Sequence, residues 1–140
     1  MPSKTPLEML GSAGLFEGLS KRELQQILSQ TREMTFPEGK TIVKEGENGV
    51  SFHLILEGKV KVTVGKRTRV SLGPGQYFGE LSLIDRGPRT AAVTATTPVK
   101  TLTLVSWDFL ALLDENPKIA RKMLIELCRR LRRERDAVTH

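Results

Sequence analysis

The chain has 140 residues, enough for one domain that buries roughly 70% of its unfolded surface without disulfide or metal staples. Hydrophobic residues make up 39% and charged residues 27%, and no apolar run approaches the roughly 20 residues of a membrane span. The net charge of +6 sits at one end: residues 117–140 hold eight basic and three acidic groups, residues 1–116 fourteen and thirteen, which excludes a nucleic-acid surface spread over the whole domain.

Residues 1–6 are short and polar, so no signal peptide is expected. Residues 5–31 read as short helices. Leu7 and Leu10 fall at helical spacing, a break follows at 14–18, and Ser20 then caps a helix with Leu24, Ile27 and Leu28 on one stripe and Glu23 three residues after the cap. Residues 32–105 read as strands and turns. The segments 41–43, 52–56, 60–64 and 101–105 are β-branched or alternating, and between them lie Pro37-Glu38-Gly39, Gly46-Glu47-Asn48-Gly49, Glu57-Gly58, Gly65, Gly73-Pro74-Gly75 and Arg86-Gly87-Pro88. Strands this short with turns this dense predict an antiparallel β jelly-roll barrel. His53, alternating with Phe52 and Leu54, is expected to be a sheet-face residue rather than a catalyst.

Residues 106–137 read as two helices. Ser106 is the expected N-cap of a helix over 107–114, with Trp107 as a core anchor, and Asn116-Pro117 precedes a longer helix. Ala120, Met123, Leu124, Leu127, Cys128 and Leu131 form its predicted apolar face, where Cys128 would be a small buried hydrophobe. As the only cysteine, Cys128 cannot form an internal disulfide and fits a reducing, cytoplasmic setting; His53 and His140 are too few for a His-built metal centre. The expectation is a single α+β, mainly β domain over 1–140.

One segment carries chemistry: Phe78-Gly79-Glu80-Leu81-Ser82-Leu83-Ile84-Asp85-Arg86-Gly87-Pro88-Arg89-Thr90-Ala91-Ala92-Val93. Gly79 opens a predicted helical turn over 80–84, whose free Leu81 and Ser82 amides make an anion site. Gly87-Pro88 turns the chain back and brings Arg89 to the same place, where its planar fork suits a phosphate. Ser82, Thr90, Ala91 and Ala92 are small enough to let a ligand approach the backbone. Glu80 is positioned to accept from hydroxyls, as an acidic residue does when it reads a ribose. A cation for an anion beside a carboxylate for a sugar points to a nucleotide. Ser82 has no histidine base in any motif, so no nucleophilic catalysis is expected.

The segment resembles the phosphate-binding cassette of cyclic nucleotide-binding domains of the catabolite activator and protein kinase A regulatory-subunit type. The pattern F-G-E-[LI]-[AS]-L-x-x-x-x-x-R-[AST]-A is met at every specified position from Phe78 to Ala91, and the likeness extends to Phe36-Pro37-Glu38-Gly39, Ile55-Leu56-Glu57-Gly58 and Leu72-Gly73-Pro74-Gly75. The resemblance implies that Arg89 pairs with the cyclic phosphate and Glu80 with the ribose 2′-hydroxyl. Amides around Leu81, Ser82 and Ala91 would complete the cradle, with Gly79 allowing close approach. Val62, Val70, Leu72 and Phe78 would line the sugar and purine. Thr90 resembles members that accept cGMP, yet cAMP is the expected ligand and cGMP the alternative. The last helix would act as a lid, at Leu131, Glu134 and Arg135.

These readings predict a non-catalytic sensor of cyclic nucleotide, with no cofactor, no metal and no membrane contact, that signals to a protein effector by moving its C-terminal helix. The alternatives are the sensor part of a Crp-like regulator or other effector protein whose output domain is absent, and a ligand-free interaction domain. The family's helix-turn-helix would need tens of residues after 135, so sequence-specific DNA binding by this chain alone is not expected. Leu124, Leu131 and Val138 at seven-residue spacing, interrupted by Arg135, leave the chain a monomer or a weak homodimer.

Overall fold

The computed structural model describes residues 4–138, with side chains as far as 136; His140 and the side chain of Val138 lie outside it. Helix α1 (Pro6–Gly11) and α2 (Lys21–Leu28) flank a 3₁₀ turn, Gly14–Phe16. Both helices begin in a capping box: Thr5 with Glu8, and Ser20 with Glu23, exchange side-chain and backbone bonds that satisfy otherwise orphaned amides. Eight strands follow: β1 (Arg32–Phe36), β2 (Thr41–Val43), β3 (Ser51–Glu57), β4 (Val60–Val64), β5 (Arg67–Leu72), β6 (Tyr77–Phe78), β7 (Ala92–Ala95) and β8 (Val99–Val105). A four-residue helix, α3 (Ser82–Asp85), sits between β6 and β7, and α4 (Ser106–Glu115) and α5 (Pro117–Val138) close the chain.

The strands form two antiparallel sheets of four, ordered β1-β8-β3-β6 and β2-β7-β4-β5. The order is that of a jelly roll. The two sheets face each other without hydrogen-bonding into a closed barrel, so the barrel expectation is corrected to a sandwich.

Three layers result, because β3 and β8 are covered on both faces. Phe52, Leu54, Leu102 and Leu104 point to the helices, where they join Leu10, Leu15, Phe16, Ile27, Leu83, Phe109, Ile119 and Met123 in one core. Ile55 lies on the other face, in a second core between the sheets with Val60, Phe78, Val93, Ala95 and Val99. His53 shares that inner face, stacked on Phe78 with ring centroids 4.9 Å apart. It is a sheet-face residue, and its face is interior.

The C-terminal helices are phased differently from the sequence expectation. The buried residues of α4 are Ser106, Phe109 and Leu112, which turns Trp107 outward at 58% exposure rather than into the core. Ser106 is the first helical residue, not the cap, and its hydroxyl donates to the Leu83 carbonyl at 2.7 Å. On α5 the buried line runs Ile119, Met123 and Glu126, so Cys128 is exposed and Leu124 and Leu131 face outward. Lys122 fastens the start of α5 to α2 by donating to Glu23 at 2.6 Å, and this bond holds the Glu23 carboxyl below the usual range. Phe16 is the keystone of the helical core, edge-on to Phe52 at 5.3 Å and to Phe109 at 6.1 Å, with no exposure. Phe16→Ala is expected to cost about 3–5 kcal/mol, read as a lowered urea midpoint at unchanged m-value.

Candidate functional site

A cavity of about 430 Å³ opens where the second sheet meets α3 and the 85–91 segment. Val43, Val62 and Val93, from three neighbouring strands, give it an apolar floor beside Phe78. Gly79, Glu80, Leu81 and Ser82 line it together with Arg89, Thr90 and Ala91. The cassette residues singled out in the sequence therefore come together around one space. Two wall residues do not. Val70 stands opposite Val62 on the edge strand β5, beyond the cavity and 47% exposed, and Leu72, opposite Val60, packs into the core between the sheets.

The chain reaches Arg89 through a built turn. Asp85 accepts from the Gly87 amide at 2.8 Å, and Arg86 takes a left-handed conformation at φ +52°, a strained choice for a side-chain-bearing residue. The returning strand is clamped by residues 46–49: Arg89 N–H donates to the Glu47 carbonyl, Gly46 N–H to the Arg89 carbonyl, and Gly49 N–H to the Gly87 carbonyl, all at 2.8–2.9 Å. Gly46-Glu47-Asn48-Gly49 read from sequence as a turn; in the fold it is the clamp that holds Arg89.

The Arg89 guanidinium passes between two glycines. A Cβ on Gly49 would lie 2.5 Å from its Nε, and one on Gly79, at φ +85°, 2.5 Å from its Nη1. Its Nη2 donates to the Ser51 carbonyl at 2.8 Å and lies 3.4 Å from the Ser51 hydroxyl. Burial lowers the Arg89 pKa from its ordinary value. Among the described residues no carboxylate pairs with it. A guanidinium that is partly desolvated, held in place and without a carboxylate has the chemistry to take an anion.

Glu80 is engaged elsewhere. Its side chain is 10% exposed; Oε2 accepts from the Leu15 amide at 3.0 Å, and Oε1 accepts from Arg130 Nη1 on α5. Arg130 Nη2 donates to the Tyr77 hydroxyl at 3.3 Å. The Glu80 hydrogen bond is the main reason the Arg130 pKa is raised, while burial and then the Glu80 charge raise that of Tyr77. The 3₁₀ turn comes this close because Gly14, at φ +43°, has no Cβ; one there would fall 1.7 Å from Glu80 Oε2.

The residue of α5 that meets the cassette is thus Arg130. Leu131, Glu134 and Arg135 are exposed and lie outside the cavity lining. Sequence reasoning missed Arg130, although its phase carries the signal: it lies seven residues after Met123, on the buried line of the helix. It also missed Ser51, Gly49 and Val43, which are brought in by other parts of the chain, and Tyr77 and Val93, which sit at the two ends of the cassette segment.

His53 lies behind Arg89 and is 5% exposed; burial first, and the Arg89 charge second, lower its pKa from 6.5 to about 3. Between these values the unfolded chain holds a proton that the folded chain refuses, so His53 makes stability fall as pH drops below about 6.5. His53→Phe removes this loss. Urea unfolding at pH 7 and pH 5 should show the wild type losing about 2 kcal/mol more than the variant over that interval.

The model of the family described as "Cyclic nucleotide-binding domain" matches residues 33–116. The chain is 35% identical over 133 residues to the CRP-like cAMP-activated global transcriptional regulator of Mycobacterium tuberculosis, covering 90% of this chain and 58% of that protein. It is 38% identical over 122 residues to a cyclic nucleotide-gated potassium channel of Mesorhizobium japonicum, covering 85% of this chain and 34% of the channel. The crystal structure of the N-terminal domain of a transcriptional regulator from Streptomyces coelicolor A3(2) superposes with a TM-score of 0.86 at 34% identity, covering 94% of each chain. The chain spans little more than half the length of the curated regulator it matches. With the cassette, the jelly-roll sandwich and the family match in agreement, this chain belongs to the cyclic nucleotide-binding domain family.

Proposed function

We propose that the chain is a non-catalytic sensor of cyclic nucleotide, cAMP before cGMP, in which Arg89 takes the cyclic phosphate and Glu80 the ribose 2′-hydroxyl. One observation carries this reading: Arg89 is partly buried at the cavity wall with no carboxylate partner among the described residues. Desolvating a cation without compensation lowers stability, and a bound phosphate would supply the missing charge. The amides of Leu81, Ser82 and Ala91 add donors in the same cavity, the valine floor takes the apolar faces of sugar and base, and Thr90 offers a hydroxyl to the base.

Signalling then follows from where Glu80 is anchored. A ribose hydroxyl competes with Arg130 for the same carboxylate, so ligand and α5 are coupled through one group. The ligand shifts the position of α5 only by the difference in its affinity for the two helix positions. The effector is a cytoplasmic protein partner or an output domain, as the relatives' names differ in output, one a transcriptional regulator and one a channel.

Calorimetric titration should give micromolar or tighter binding of at least one of cAMP and cGMP, and Arg89→Leu should weaken it about 100-fold or more, the equivalent of two charge-assisted hydrogen bonds. Unchanged affinity in that variant would overturn the assignment. Arg130→Ala should raise amide exchange over residues 126–134 without nucleotide, and nucleotide should no longer alter exchange there. Ligand-dependent exchange that survives the substitution would sink the Glu80–Arg130 route.

A further inference from the structure

Behind Arg89 runs a line of buried polar groups that ligand contact alone leaves unexplained. His53 Nε2 lies 3.0 Å from the Ser51 hydroxyl, and His53 Nδ1 lies 3.1 Å from the Thr103 hydroxyl, itself 3.0 Å from that of Thr101. Ser51 is the residue that holds Arg89 Nη2. The line therefore runs from the cavity wall into the middle of the sandwich, along β3 and across to β8. The setting is apolar: the His53 ring stacks on Phe78, is edge-on to Phe36 at 6.1 Å, and shares its face with Ile55. A phenylalanine would fill this place, and a buried imidazole is costly unless its nitrogens are satisfied.

The direction of the line follows from donor inventory. Arginine only donates, so the Ser51 oxygen accepts from it and the hydroxyl proton is free to go elsewhere. With the imidazole neutral, Nε2 accepts that proton, Nδ1–H donates to Thr103, and Thr103 donates to Thr101. The reverse order would aim two N–H groups at one seryl oxygen, with the Arg89 charge opposing the second. Bonds aligned head to tail reinforce one another in a low-dielectric interior.

We propose that His53 is a positioning residue for Arg89: by accepting the Ser51 hydroxyl proton at Nε2, it turns the seryl lone pairs toward Nη2 and fixes how the guanidinium faces its anion. This rests on the reading of Arg89 as the phosphate-binding group. Nothing in the cassette pattern specifies position 53, which lies 36 residues before Arg89 on another element.

The test is calorimetric titration with cAMP of the wild type, His53→Phe, Ser51→Ala and the double variant. It is joined by nitrogen-15 spectra of the imidazole and of the Arg89 Nε–H without nucleotide. His53→Phe keeps the ring stack and removes the acceptor. It should weaken cAMP binding about tenfold, the equivalent of one hydrogen bond, and the double variant should bind no more weakly than the weaker single one. The wild-type imidazole should carry its proton on Nδ1, and the sharp Arg89 Nε–H signal should broaden in His53→Phe. A proton on Nε2, or wild-type affinity in His53→Phe, overturns the proposal; if that variant does not fold, Ser51→Ala with unchanged affinity and Arg89 signal overturns it. A wild type that binds neither cAMP nor cGMP overturns the ligand reading instead. The Arg89 signal then still decides positioning, supporting it if broadened in the variants and overturning it if unchanged.

Discussion

The carboxylate of Glu80 joins three parts of the chain that are far apart in sequence. One oxygen takes the Leu15 amide of the N-terminal turn and the other takes Arg130 of the last helix, while Glu80 itself belongs to the cassette between β6 and α3. A nearly buried carboxylate tolerates this position because both oxygens are matched by donors, one of them charged. Removing any one partner strands the others, so the helices at the two ends and the cavity share one electrostatic condition. That condition also explains Gly14, which joins a left-handed φ of +43° to the absence of a Cβ where Glu80 Oε2 lies.

The sandwich serves the same arrangement. β3 and β8 are covered on both faces, and Ser51 and Thr103 are mounted there. Arg89 approaches from the opposite side on a loop clamped by residues 46–49. The Arg89 guanidinium is thus carried by a loop and referenced to a central strand. Loops supply chemistry in many folds, and here the scaffold reaches forward to hold it.

Legibility in the sequence followed distance along the chain. The cassette is contiguous, so Phe78 to Ala91 could be recognised and their common cavity anticipated. The capping box at Ser20 was readable because its bonds span three residues. Partners drawn from remote elements were not. Arg130, Leu15 and Ser51 have no local signature, and Val70 and Leu72 were misplaced because alternation tells which face a strand residue takes but not how far a cavity extends under it. Trp107 and Cys128 failed for a related reason. Apolar residues on a helix outnumber those that one face can bury, and only the packing of α4 and α5 selects the phase. Closure of the barrel was equally beyond reach, since strand count and turn density are the same for a sandwich.

Arg89 has a thermodynamic consequence that its charge alone does not convey. An arginine free in solution samples many rotamers, and stilling it costs about 2 kcal/mol in entropy. Here Gly49, Gly79 and Ser51 confine the guanidinium before any anion arrives, so that loss belongs to folding rather than to encounter. Under the proposed role of Arg89, the two bare glycines would act on affinity by what they forbid: a wandering side chain that would have to be caught each time.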